Sequence, residues 1–314
     1  MGRVADVGGA AELSRVAGAG AGQLGDGEGP GGPGQRLDGQ TGALDCLSRV
    51  RVVATDLDGT LLDPSGEVTA RTAEAVSAAR SAGIHVVPIT GRPPQAMWHL
   101  ADQAGLGPFG ICSNGAALVD TERRTVLEVE PIAADIADGL VDLLRKEFPG
   151  ILLACDDLDY FIYERGFFRT PVDWDEEMRE VCDIRPSVRK GCVKLIARSP
   201  GHSALQLIEL VEDHLAELAH VTTSGLDWVD IGAVHVSKAY ALQRLCDRLG
   251  VDLGEVVAIG DNHNDLSVLA SAGIAMAPAN AIPEVLAVAH RVLPHNGEDG
   301  VAELLEELAR LRLD

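Results

Sequence analysis

The chain has 314 residues, 46% of them hydrophobic and 24% charged, the make-up of a soluble globular protein with one large core or two smaller ones. A net charge of −22 and a pI of about 4.7 exclude a nucleic-acid surface or an anionic membrane as the partner. The six cysteines are scattered without a CxxC pair, and no apolar run reaches the roughly 18 residues of a membrane span, so the chain reads as a cytoplasmic protein with buried thiols and no thiolate zinc site.

Residues 1–49 stand apart. The stretch from Gly18 to Gly42 is dominated by glycine and has few large apolar side chains, so it reads as a disordered leader. From Arg51 the pattern alternates strand and helix. Val52-Val53-Ala54-Thr55 is a short buried strand that runs into Asp56-Leu57-Asp58-Gly59-Thr60. Thr69 to Ala82 is helical and closed by Gly83. Ile84 to Ile89 is the next strand and ends at Thr90-Gly91-Arg92, after which Pro93 and Pro94 suit the opening of another helix. Gly110 to Gly115 is a strand meeting a turn, and Ala116 to Val129 resembles a hairpin. Such alternation predicts a mostly parallel, doubly wound α/β sheet.

The middle differs in texture. Ile132 to Phe148 is a helix, Asp159 to Thr170 suggests a hairpin around Arg165-Gly166, Val193 to Ala197 is a strand, and Ser203 to Ala219 is an amphipathic helix. After Val229-Asp230-Ile231 come a helix at Lys238 to Leu249, the strand Val256 to Ile259, and a loop at Gly260 to Asp265. The expected organisation is a core of residues 50–128 plus 229–314, interrupted by an inserted α/β domain at 129–228.

Asp56 and Asp58 lie two residues apart at a strand's carboxyl end, where open α/β sheets bind ligands. Adjacent carboxylates repel unless a proton or cation intervenes, which suggests a hard metal, one carboxylate as nucleophile and the other as proton donor. Thr90-Gly91-Arg92 and Gly260-Asp261-Asn262-His263-Asn264-Asp265 also follow strands, and Lys238 opens a helix. Gathered in one crevice, these groups make an inventory suited to phosphoryl transfer.

The motifs DLDGTLL, ITGR, VSK and GDNHND, in this order, resemble the haloacid dehalogenase-like hydrolase superfamily. The large insertion between Thr90 and Lys238 resembles its Cof-like phosphatases, whose α/β cap lies between the second and third motifs. The segments Ala272 to Met276, Asn280-Ala281 and Asn296 to Val301 are similar to that subgroup's C-terminal pattern. The resemblance implies that Asp56 attacks phosphorus, and that Asp58 protonates the leaving alkoxide and then deprotonates water. It implies that Thr90, a backbone N–H at Gly91, and Asn264 hold phosphate oxygens while Lys238 balances charge. It further implies Mg²⁺ on Asp56, Asp261 and the Asp58 carbonyl, with Asp265 behind them, and a small phosphorylated metabolite (a sugar phosphate or similar) as substrate. A sugar phosphomutase and a non-catalytic binding protein on the same fold are the alternatives. Arg92 is expected to orient its loop, His263 to face solvent, and Asn114 to face the cap or to serve as a turn residue. Arg165 and Lys194 are expected to be exposed strand cations, with contact to an anionic substrate tail as the alternative, and Trp174 and Trp228 to belong to the cap core rather than to a stacking platform.

Overall fold

The computed structural model describes residues 46–168 and 177–313. The leader up to residue 45, Trp174 and the end of the expected 159–170 hairpin lie outside the described residues. The strands are β1 (Val52–Thr55), β2 (His85–Pro88), β3 (Phe109–Cys112), β4 (Ala117–Asp120), β5 (Thr125–Val129), β6 (Leu152–Asp156), β7 (Phe161–Glu164), β8 (Met178–Val181), β9 (Lys194–Arg198), β10 (Ala219–Thr222), β11 (Val229–Ala233), β12 (Val256–Ile259), β13 (Ile274–Pro278) and β14 (Arg291–Leu293). The helices are α1 (Ala70–Ser81), α2 (Pro94–Ala104), α3 (Ala134–Glu147), α4 (Arg185–Val188), α5 (Ala204–Leu215), α6 (Lys238–Leu249), α7 (Leu266–Ser271), α8 (Pro283–Val288) and α9 (Gly300–Leu313).

One sheet runs β14-β13-β12-β1-β2, with every pair parallel. Side chains on both faces of such a sheet are covered, which is why β12 and β1 up to Ala54 are continuous apolar runs and both strands are buried along their whole length. Val53, Val257 and Met276 pack with α1, α2 and α9 on one face, and Val52, Ala54 and Ala258 with α6, α7 and α8 on the other. Helix ends follow local chemistry: Thr69 accepts from the Thr72 N–H at the start of α1, Ser237 accepts from the Tyr240 N–H at the start of α6, and Pro94 sits in the first turn of α2. The expected hairpin at 116–129 is present as β4 and β5, which join β3 in a small antiparallel sheet.

The second large sheet runs β10-β11-β9-β6-β7-β8. One face packs Leu153, Cys155, Leu195, Ala197, Val229 and Ile231 against α3 and α5. The opposite face carries the alternate residues, among them Asp156, Lys194, Ile196, Asp230 and His220, and it turns toward the parallel sheet's loops.

Four expectations are corrected. Leu47 and Val50 are buried in the first core, so ordered packing begins before residue 50. Strand β11 belongs to the six-stranded sheet, which therefore extends past 228 to Ala233, because Val229 and Ile231 complete its apolar face. No hairpin forms at Arg165-Gly166: β7 pairs antiparallel with β6 and parallel with β8. The hairpin turn is at 157–160 instead, where Asp157 accepts from the N–H groups of Asp159 and Tyr160 and Leu158 adopts φ 73°. All six thiols are free, and Cys182 is exposed, unlike Cys112, Cys155, Cys192 and Cys246. Among the described residues no helix is long and apolar enough to cross a membrane.

Candidate active site

Strands β12, β1 and β2 are neighbours, so the loops after their carboxyl ends converge. The Asp56 N–H donates to Ile259 O at 2.9 Å, extending the β1/β12 ladder by one residue and fixing where the carboxylate starts. Lys238, at the first position of α6, is 1% exposed. Its Nζ donates to Asp56 Oδ1 at 2.7 Å and to Asp265 Oδ1 at 2.6 Å. Asp265 Oδ2 accepts from the N–H groups of Asp261 and Asn262, both at 3.0 Å, so both of its oxygens are committed. Thr60 Oγ1 donates to Asp261 Oδ1 at 2.8 Å. Three of the four motifs thus meet around one buried ammonium.

Asp56, Asp261 and Asp265 each bring a carboxylate oxygen within 4.8 Å of the others. Three carboxylates against one ammonium leave an excess of two negative charges in a buried pocket. Burial pushes the Asp56 carboxyl well above its ordinary value, the Lys238 ammonium pulls it back, and the neighbouring carboxylates push it up again. Asp261 is raised to about 6, by burial first and then by Asp265. A divalent cation would supply the missing charge. The donor set is all oxygen, which suits Mg²⁺. Because Asp265 is fully engaged, Asp56 and Asp261 are the carboxylates left to hold an ion, with Asp265 positioning them. Gly59 completes the cradle: its φ is +75°, and a Cβ there would stand 2.6 Å from Asp261 Oδ2. Its carbonyl accepts from Asn280 Nδ2 at 2.7 Å, and Asn280 Oδ1 in turn accepts from the Asn296 N–H.

Asp58 is placed differently from Asp56. Its carboxylate accepts from Arg92 Nε at 2.7 Å and from Arg92 Nη2 at 2.6 Å, at the half-open mouth of the crevice. Arg92 therefore does orient a group, but the group is Asp58 as well as its own loop. Thr90 is buried, and its Oγ1 accepts from the Arg92 N–H at 3.1 Å. The Gly91 carbonyl accepts from Lys194 Nζ at 2.8 Å. Asn264 Nδ2 donates to Asn114 Oδ1 at 3.1 Å, so its amide is turned toward the cap side. His263 is half-buried and held by its N–H to Asn262 Oδ1.

Sequence reasoning misplaced Lys194 and passed over two acids. Lys194 is 7% exposed and faces Asp230, not solvent, whereas Arg165 is exposed as expected and pairs with Glu180. Asp156 accepts from Ser113 Oγ at 2.6 Å, and Asp230 Oδ2 accepts from Asn114 Nδ2 at 2.9 Å. Asn114, with φ 56°, is both a turn residue and a bridge to the cap. The available signal was a charged residue inside each of three short apolar strands. Trp228 packs against Phe167 and Phe168 on the open sheet face.

The sequence profile of the haloacid dehalogenase-like hydrolases matches residues 53–305. The chain belongs to this family. It is 30% identical over 267 residues to the pyridoxal phosphate phosphatase YbhA of Escherichia coli (strain K12), covering 81% of this chain and 97% of that protein. It is 31% identical over 284 residues to the 5-amino-6-(5-phospho-D-ribitylamino)uracil phosphatase YwtE of Bacillus subtilis (strain 168), covering 82% and 98%. A solved haloacid dehalogenase-like hydrolase from B. subtilis has the same fold, with a TM-score of 0.73 at 23% identity over 82% of this chain and 100% of that one. The expected family, the Cof-like group within it, the α/β core with an added cap sheet, and the hydrolase class are all supported by these relatives.

Proposed function

We propose that this haloacid dehalogenase-like hydrolase is a Mg²⁺-dependent phosphatase that acts on a small phosphorylated metabolite through an aspartyl-phosphate. The observation that carries the reading is the buried Asp56–Lys238–Asp265 triad with Asp261 beside it, and a second acid, Asp58, at the open mouth. Asp56 and Asp261, with the Asp58 carbonyl, would hold Mg²⁺, which offsets the charge of the phosphoryl oxygens when bound.

An oxygen of Asp56 attacks phosphorus and the bond from phosphorus to the leaving oxygen breaks. Asp58, released from Arg92 and protonated from solvent, gives that proton to the leaving oxygen. Water then attacks the phosphorus of the acyl phosphate while Asp58 takes its proton. The bond to Asp56 breaks, free phosphate leaves and both aspartates are restored. Lys238 keeps Asp56 ionised and aimed, and the Thr90 hydroxyl and Gly91 N–H hold phosphate oxygens. The two named relatives act on small phosphorylated molecules, which supports a substrate of that size. Six unpaired thiols suit a reducing cytoplasm.

The test is phosphate release from p-nitrophenyl phosphate and from a panel of phosphorylated metabolites, with Mg²⁺ and with chelator. Release that stops with chelator and with Asp56→Asn supports the reading. Mg²⁺-dependent release retained by Asp56→Asn overturns the nucleophile assignment.

A further inference from the structure

The loop that carries Thr90 and Arg92 is held from two sides. From within the core, the Ser113 N–H donates to the Arg92 carbonyl at 2.9 Å and the Asn114 N–H to the Thr90 carbonyl at 3.0 Å. These bonds fix the flanking peptides and leave the Gly91–Arg92 peptide between them to turn, which a glycine resists least. Its carbonyl accepts from Lys194 Nζ at 2.8 Å, on a side chain that reaches across from β9. Its N–H, on the opposite side of the same rigid plane, donates to Thr90 Oγ1 at 3.1 Å. The Arg92 side chain that follows grips Asp58.

Lys194 is buried, and carboxylates are at hand in its own sheet. Asp156 pairs with it across β6 and β9, and Asp230 Oδ1 stands 3.6 Å from Nζ. Asp156 is engaged by Ser113 Oγ and the Leu158 N–H, and Asp230 Oδ1 accepts no hydrogen bond from any described residue. The two acids offset the desolvated charge, while the hydrogen bond goes to a neutral carbonyl of the core. We propose that Lys194 is a positioning residue for phosphoryl transfer. It sets the Gly91–Arg92 peptide so that Thr90 Oγ1 accepts from that N–H and turns its own proton to a phosphate oxygen. This rests on the phosphatase reading above and goes beyond it, giving the six-stranded sheet a part in holding the phosphoryl group whatever the leaving group. Without the ammonium the Gly91 carbonyl loses this donor, the peptide is free to rotate, and the Thr90 hydroxyl and Arg92 lose their common reference.

The experiment compares wild type with Lys194→Met, which keeps the apolar stem, using p-nitrophenyl phosphate, n-pentyl phosphate and orthovanadate, the last of which carries no leaving group. Loss of a charged donor predicts a fall in kcat/KM of about 10–100-fold, the same for both esters within about threefold, and a rise of at least about tenfold in the vanadate inhibition constant. A merely structural role lowers the amount of folded enzyme and leaves the vanadate constant where it was, which overturns the inference. A loss confined to one ester overturns it too, because Lys194 then acts on the leaving group. If Lys194→Met fails to fold, Lys194→Gln is read instead; its amide ends one atom short of the Lys194 nitrogen, so the same losses are expected. Wild-type turnover with an unchanged Lys194 variant removes the positioning role and leaves the phosphatase reading intact. No Mg²⁺-dependent turnover of either ester by the wild type removes both.

Discussion

Replacing Lys238 with methionine keeps the stem that α6 packs and deletes the ammonium held between Asp56 and Asp265. Both carboxylates are then buried without a countercharge, Asp265 keeping only the N–H groups of Asp261 and Asn262. Breaking a buried ion pair from one side costs about 3–5 kcal/mol, because the stranded charge stays desolvated. With a urea m-value of about 3 kcal/mol/M for a chain of this size, the midpoint should fall by about 1–1.7 M at pH 8 in chelator. The sign of the pH dependence follows from the same charges. Without Lys238 the folded-state pKa of the buried Asp56 carboxyl lies still further above the unfolded value near 3.9, so the folded protein binds protons more tightly than the unfolded chain. That stabilisation is present at low pH and is lost as pH rises through the folded value, so the deficit of Lys238→Met should be smaller at pH 5 than at pH 8. Lys238→Met/Asp265→Asn, with one stranded charge neutralised, should recover part of the loss at pH 8. A deficit below about 1 kcal/mol at both pH values would refute the description of these groups as a desolvated triad.

Gly59→Ala places a Cβ against Asp261 Oδ2 at a backbone φ of +75°, so it should cost about 1–3 kcal/mol in urea unfolding and weaken Mg²⁺ binding at least tenfold by calorimetry. Because Asp261 titrates at about 6 without metal, protons compete with Mg²⁺ below that value. The Mg²⁺ dissociation constant should be flat above about pH 7 and rise by up to tenfold per unit below pH 6 in a calorimetric pH series. Asp58→Asn removes the group that protonates an alkoxide and activates water, a loss of about 10²–10⁴-fold with alkyl phosphates. With p-nitrophenyl phosphate, whose leaving group needs no proton, the same variant should show a burst of nitrophenolate in stopped flow followed by slow turnover.

The parts of the site that sequence exposed are those carried by local patterns. Val52 to Thr55 is buried throughout, and apolar up to Thr55, because both its faces are covered, and the glycine and aspartates that follow mark its end. Ser237 caps α6 and so places Lys238 at a helix start, which is visible as a serine before a periodic run. What Lys238 touches was not visible: Asp56 lies 182 residues away in the chain, and only the order β12-β1-β2 brings them together. Arg92 gripping Asp58, Ser113 on Asp156 and Asn114 on Asp230 are likewise pairings across distant segments. Lys194 looked like an exposed strand cation and Asp230 drew no reading, because alternation alone does not tell a solvent face from a face pressed against another layer. The misplaced hairpin has the same origin: Arg165-Gly166 is a turn, but β7 continues into a segment that returns parallel, and turn chemistry does not fix strand direction.

The central claim is that Asp56 carries the phosphoryl group between the two half-reactions. Acid quenching of the enzyme during Mg²⁺-supported turnover, followed by peptide mass spectrometry, tests it directly. The account predicts a hydroxylamine-labile phosphoryl group on the peptide that contains Asp56, more abundant in Asp58→Asn and missing from Asp56→Asn. Turnover with no phosphorylated peptide in either the wild-type enzyme or Asp58→Asn, or with the label on another residue, contradicts it.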